Sequence, residues 1–379
     1  MDTTLKQENK FLVALKKVGR AFKNQTFLYI VKRVLSSLFT LVLLVALVTA
    51  LIRLLPDTKF YDVNTYKKIA GTSKVMANRW RSMQLFLAGR ADANGNPVPV
   101  LYSIGRYILN ILPYYKSIPQ SWTDYSCTTV LESWNGFVYL GYSKSMSDYV
   151  TNVIASRMGI SFRISLYTII FSYLFAVPLG IAMAKKPGGT VDKIGNVFIV
   201  LNYAIPGLVF YLVMWDVLGN ANGAFGWANF GLAYDETRPL TLVPPIFCIV
   251  FLGIPGISIW VRRFMIDELS SDYVKFARSK GLSENRIMYT HVLRNAMVPL
   301  VRNIPATFLG AIIGSYYVEK IWTIPGTGLL LVKALQGVTP DIDLIEGLTV
   351  IYAAISMVSF LLGDLITVLF DPRIKLESN

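Results

Sequence analysis

The sequence predicts an all-α polytopic membrane protein with six transmembrane helices and a large extracytoplasmic insertion between the first two. Three observations carry that expectation. Hydrophobic residues make up 54% of the chain and charged residues only 16%, which is more apolar and less charged than a typical soluble domain. The apolar residues fall in runs of about 20 or more, the length a bilayer crossing requires. Lys and Arg cluster beside those runs in the short loops of one side, as the positive-inside rule expects.

Residues 1–33 carry Lys6, Lys10, Lys16, Lys17, Arg20, Lys23, Lys32 and Arg33, with Phe11, Leu15, Val18 and Phe22 at helical spacing. A cytoplasmic amphipathic helix on the membrane surface and a disordered basic arm both fit this segment. Residues 34–55 are the first span. Val48-Thr49-Ala50 mimics a signal-peptide cleavage site, but the apolar run continues past it, so the span reads as an anchor. Residues 56–158 hold no run able to cross, and alternation puts them outside, since long segments translocate largely regardless of charge. Within them residues 101–112 are amphipathic, either an interfacial helix or the core of a small external subdomain.

Residues 159–370 form the transmembrane core. The second span, 159–184, holds Pro178 and Gly180 and ends at Lys185 and Lys186, before a Pro187-Gly188-Gly189 turn. A third span, 194–218, is interrupted at Pro206-Gly207. An outer loop with Asp235 and Glu236 leads to the fourth span, 240–260, broken by Pro244-Pro245 and Pro255-Gly256. Arg262-Arg263 return the chain to the cytoplasm. The fifth span is 299–317, residues 321–331 lie outside or partly re-entrant, and 344–370 is the sixth. Arg373 and Lys375 keep the tail, 371–379, inside.

Between the fourth and fifth spans lies a cytoplasmic loop, 263–298, with Lys275, Arg278, Lys280, Arg286, His291 and Arg294. Residues 272–280 lack Pro and Gly, Ser271 stands where a cap belongs, and Gly281 stands where a left-handed stop is easiest. Ser283 then caps a second helix that runs to Pro299. Helix, glycine corner and second helix together make a rigid knob that a partner can push.

The chemistry of the chain excludes several classes. No G-x-x-x-x-G-K-[ST] phosphate loop occurs, so no P-loop nucleotide site is expected. His291 is the one histidine, and Cys127 and Cys248 are the two cysteines, which argues against a histidine metal site, a cysteine metal site or a disulfide. No Ser-His-Asp arrangement is recognisable, so the chain reads as a non-enzyme with no catalytic residue and no metal. The net charge of +14 sits beside apolar runs, where it meets anionic lipid rather than nucleic acid. Glycines and prolines within the spans read as packing positions or as pivots. Asp216, Glu319 and Asp364 lie near span ends and read as hydrogen-bonded or ion-paired groups, with a proton relay as the other reading for Glu319 and Asp364.

Several phrases resemble one family. DYVKFARSKGL (272–282) and HVLRNAMVP (291–299) are similar to the "EAA loop" of permease subunits of binding-protein-dependent ABC importers, in the oligopeptide/dipeptide/nickel subgroup. Glu319 through IPGTG to Lys333-Ala334, the closing Asp371-Pro372-Arg373-Ile374, and YIVKRVLSSLFTLVL followed by RLLPD resemble it too. Lys275-Phe276 depart from the generic Glu-Ala of the motif, and the stretch 61–137 resembles nothing in the family. The resemblance implies a six-helix type I importer permease in a bacterial inner (plasma) membrane with both termini cytoplasmic. It implies a second homologous permease, two ATPase subunits that bind the ATP and Mg, and an extracytoplasmic substrate-binding protein. This chain itself would hold no cofactor. By the same resemblance residues 271–282 are the ATPase-coupling helix, with Tyr273 and Phe276 as apolar anchors, Ala277 in the motif, and Lys275, Arg278 and Lys280 facing acidic rim groups. Gly281 is the corner, and Arg294 with Asn295 braces it. Peptides are the implied cargo, with nickel or another small solute as alternatives; substrate-binding residues stay unassigned. An ion-coupled carrier or a channel is the competing class.

Overall fold

The computed structural model describes residues 25–92, 95–111, 118–119, 129–130, 138–143, 145–314, 316–336 and 339–370. The basic arm up to residue 24, Cys127 and the 371–379 tail lie outside the described residues. Helix α1, Gln25–Arg53, is followed by three shorter helices, α2 (Val63–Thr72), α3 (Lys74–Leu87) and α4 (Val100–Ile111). Asp62 caps α2 by accepting from Asn64 N–H at 2.9 Å and the Thr65 hydroxyl at 2.7 Å. Ser73 caps α3 through Met76 N–H at 3.4 Å. Helix α4 is amphipathic as its sequence implies. Tyr107, Ile108 and Ile111 pack on Val45, Val150, Ile154, Leu344 and Leu348, while Leu101 and Tyr102 are exposed. It thus lies against the helical bundle and shares one core with it.

Helix α5, Val150–Lys185, begins nine residues earlier than the expected span, directly after a small hairpin of β3 (Tyr142–Ser143) and β4 (Asp148–Tyr149). A separate two-residue pair, β1 (Ile118–Pro119) with β2 (Thr129–Val130), precedes it. At 36 residues α5 is about 54 Å long, so it projects beyond a hydrocarbon core of about 30 Å.

The third expected span is not one rod. Helices α6 (Thr190–Ala204) and α7 (Gly207–Gly219) meet at 94°. Ile205 is forced into an extended conformation by the proline after it, and Pro206 opens α7. The third span is thus interrupted where expected, whereas the fourth is not. Helix α8, Val243–Leu269, runs unbroken through all three of its prolines. Pro244 and Pro245 sit in the first turn, where no N–H is needed. Pro255 removes the donor that would reach the Phe251 carbonyl, and Asn202 Nδ2 of α6 donates to that carbonyl at 3.1 Å instead. A neighbouring helix therefore restores the lost bond, as membrane helices require.

The chain continues through α9 (Asp272–Ser279), α10 (Glu284–Arg286), a π-helical turn (Ile287–Val292) and α11 (Leu293–Ala296). Then come α12 (Val298–Gly314), α13 (Tyr316–Ile321), α14 (Thr327–Gln336) and α15 (Ile342–Phe370). The second helix of the knob was expected to stop at Pro299; it breaks at Met297, and Pro299 lies in the first turn of α12. Among the described residues five helices are long and apolar enough to cross a membrane, or six if the bent α6–α7 pair counts as one.

Among the described residues, helices α5 and α8 form the most extensively packed helix pair. A Cβ on Gly180 would stand 2.6 Å from Val261 Cβ and 2.8 Å from the Ser258 carbonyl, so this glycine is required for their approach. Packing, of the two readings for glycines inside spans, is what Gly180 serves.

Candidate functional site

The knob is built as its residues dictate. Helix α9 ends in a full Schellman motif: Gly281 N–H donates to the Arg278 carbonyl at 2.9 Å and Leu282 N–H to the Ala277 carbonyl at 3.3 Å. Gly281 has φ +76°, a conformation a side chain rarely tolerates. Ser283 caps the next helix by accepting from Arg286 N–H at 3.4 Å. Ser271 stands at the start of α9, but its hydroxyl donates backward to the Glu268 carbonyl at 2.5 Å and makes no cap bond.

One face of α9 is buried and the other free. Val274 and Ala277, three residues apart, pack into a cluster with Ile181 of α5, Val261 and Met265 of α8, Ile287, Met288 and Val292 of the π turn, and Leu300 of α12. The buried face of α9 therefore shares one core with the ends of three long helices. On the opposite face Phe276 is 61% exposed. Lys280 Nζ lies 4.4 Å over its ring, and Lys275 pairs with Asp272 at 2.8 Å. Beside α9 is an open recess of about 880 Å³, walled by Tyr273, Phe276 and Lys280 on one side and His291, Arg294 and Asn295 on the other.

Arg278 and Tyr273 of the expected contact set are also engaged within the chain. Arg278 forms a fork with Glu284, 2.7 and 3.1 Å, across the Gly281 corner. That contact holds the Glu284 carboxyl below, and the Arg278 guanidinium above, their ordinary ranges. Tyr273 donates its hydroxyl to Glu268 Oε2 at 2.6 Å and packs on the buried cluster. Burial, and then the Glu268 carboxylate, push its ionisation upward. Of the two expected aromatic anchors, Phe276 is presented outward and Tyr273 is a strut. Arg294 is exposed on the recess wall and takes part in none of the described ion pairs.

The same end of the bundle holds a clamp that sequence reasoning missed. Arg262 of α8 donates to Asp192 of α6 through Nε at 2.5 Å and Nη2 at 2.8 Å, and Gly188 N–H donates to the same carboxylate at 2.8 Å. Asp192 in the first turn of α6, just after Pro-Gly-Gly, was the available signal. Its partner lies 70 residues away, and no local pattern names it.

The carboxylates near span ends are all engaged. Glu319 is fully buried. It accepts from the Ser161 hydroxyl at 3.0 Å and from Leu329 N–H at 2.8 Å, while Ser161 Oγ accepts from Thr327 N–H at 2.9 Å. Together they cap α14, which accounts physically for the IPGTG phrase. Asp364 of α15 stands 3.1 Å from Arg33 of α1 and 3.2 Å from Arg302 of α12. Asp216 accepts from Asn220 Nδ2 at 3.2 Å.

With this geometry in place, likeness to known proteins is decisive. Residues 176–376, more than half of the 379, match the family of binding-protein-dependent transport system inner membrane components. The chain belongs to that family. The match includes the whole of α8 through α15, and hence the knob, the clamp and the IPGTG corner. An oligopeptide transport system permease protein, AmiC, of Streptococcus pneumoniae serotype 4 is 35% identical over 241 residues, covering 62% of this chain and 45% of its own length. A dipeptide transport system permease protein, DppB, of Lactococcus lactis subsp. cremoris is 32% identical over 230 residues, covering 60% and 72%. The chain thus spans less than half the length of the pneumococcal protein. A solved inward-facing form of the MetNI methionine ABC transporter overlaps 60% of the chain and 99% of its own at a TM-score of 0.46 and 14% identity.

Proposed function

We propose that this chain is the transmembrane permease subunit of an ATP-driven importer and forms half of a translocation path for peptides. The observation that carries the reading is the seating of α9: its inner face is locked to α5, α8 and α12, and its outer face presents Phe276. In this reading the α9 end of the bundle is cytoplasmic, both termini lie on that side, and residues 56–158 face outward. Six crossings then require the bent α6–α7 pair to serve as the third. A second, related permease completes the path, and an extracytoplasmic binding protein delivers cargo. The oligopeptide and dipeptide permeases among its relatives support peptides as that cargo.

Energy enters through separate ATPase subunits. A groove on such a subunit takes Phe276, with Lys275 and Lys280 beside it meeting acidic rim groups, since a central aromatic dominates contacts of this kind. Arg278 acts within the knob, stiffening the corner through Glu284. ATP binding changes which arrangement of the ATPase pair is favoured, and α9 passes that preference to α5 and α8, shifting the balance between inward-open and outward-open forms.

The test is uptake of labelled peptides by cells with this chain and its partner subunits, compared with cells lacking either. Uptake that needs both the chain and active ATPase subunits supports the proposal. Reconstituted uptake by the chain without any ATPase would establish an ion-coupled carrier in its place.

A further inference from the structure

At the end of the bundle opposite α9, two arginines hold one carboxylate and a third lines the same recess. Arg53 closes α1, Arg81 lies on α3, and Arg90 follows it. All three, with Asp57, line an open recess of about 510 Å³. Asp57 accepts from Arg81 Nη2 at 3.1 Å and stands 3.2 Å from Arg90 Nη2. Arg53 Nη2 donates to the Gly89 carbonyl, and Arg90 Nη1 donates to the Leu55 carbonyl at 2.8 Å. The Arg81 Nε–H is shielded from solvent and has no acceptor. With three arginines and one carboxylate on its lining, the recess carries a surplus of positive charge, a condition an added oxyanion relieves.

We propose that this recess binds a carboxylate, and that its ligand is the free C-terminus of a peptide. The chemistry favours that group. Guanidinium forks match a planar carboxylate bidentately, and beside the charged floor are Leu85, Pro97 and Val98, an apolar wall suited to the side chain that a terminal carboxylate carries next to it. Asp57 is the internal competitor that keeps the arginines in place when no ligand is bound. The identity of the ligand rests on the importer reading; the preference for a carboxylate rests on the recess alone.

The experiment uses the full chain purified in detergent, where both ends of the bundle are accessible, and an N-dansylated alanyl-leucine as probe. Its free acid is expected to bind about tenfold more tightly than its C-terminal amide at low ionic strength, with the gap closing at high salt. Arg81→Gln reduces the gap to about twofold, as loss of one charge-assisted partner implies. Asp57→Asn, which removes the competitor, tightens binding of the acid about threefold, a gain that a merely structural ion pair would not produce. Equal binding of acid and amide, or an Asp57→Asn variant that binds the acid no better, overturns the proposal. So does displacement of the probe by inorganic phosphate in preference to acetate. An amidated probe with a glutamyl side chain that binds as well as the free acid overturns the assignment to a peptide terminus. Acid-selective binding without cellular uptake would sink the importer reading and leave the recess standing; uptake without acid selectivity would do the reverse.

Discussion

Gly281 concentrates the argument at the scale of a residue. Its φ of +76° closes the Schellman motif that sets α9 against the next helix, and a β-branched side chain there costs about 1–2 kcal/mol or more. No atom stands near a Cβ built at this position, so the penalty is one of backbone conformation and not of space. Gly281→Val is expected to leave the assembled transporter hydrolysing ATP while peptide uptake falls severely; wild-type uptake would show that the corner does not matter. Phe276→Ala tests the neighbouring claim. Because Phe276 is exposed, the variant should fold normally yet bind the ATPase subunits roughly 30-fold more weakly, the effect of losing a contact worth about 2 kcal/mol. Unchanged affinity in a pull-down titration would remove Phe276 from the interface. The corner was legible because glycine takes a left-handed stop more readily than any other residue. The roles of Tyr273 and Arg278 were not, because their partners Glu268 and Glu284 are chosen by how the knob folds back on itself.

At the scale of an element, proline shows why sequence reading succeeded in one helix and failed in another. Pro206 was read as an interruption and is one, with a turn of 94° between the helices on either side of it. Pro255 was read as a break and is not, because Asn202 supplies the donor that the proline withholds from the Phe251 carbonyl. Asn202→Leu should therefore destabilise the protein by about 1–3 kcal/mol, the cost of a buried carbonyl without a partner. Adding Pro255→Ala restores a backbone N–H to α8 and should recover most of that loss. Thermal unfolding of the two single variants and the double variant in detergent measures the coupling; strictly additive effects would mean that the two residues are independent. Hydropathy located α1, α5, α8, α12 and α15, since a long apolar run has few other fates. It was silent on the helix ends. Those are set by contacts such as the hairpin before α5 and the Asp192–Arg262 clamp beyond the expected end of the fourth span.

The whole molecule has two chemically different ends, and α5 reaches both. At one end Val150, Val153 and Ile154 pack with Val45 of α1 and Leu344 of α15. At the other Ile181 and Ala184 pack beneath α9. One continuous helix thus joins the core beneath the knob to the core against which α4 packs. The residues proposed as a site at the α9 end could be read together because they are contiguous in sequence. Those at the opposite end could not, since Arg53, Arg81 and Arg90 meet only after α1 and α3 have folded together.

Everything about direction depends on which side of the membrane α9 faces. Lys275→Cys, made in a Cys127→Ser background with Cys248 buried, places a single reactive thiol on the outer face of the knob. A membrane-impermeant maleimide should label it in inside-out vesicles and leave it unmodified in intact cells. Labelling in intact cells would put the knob on the wrong side of the membrane for any ATPase and contradict the account.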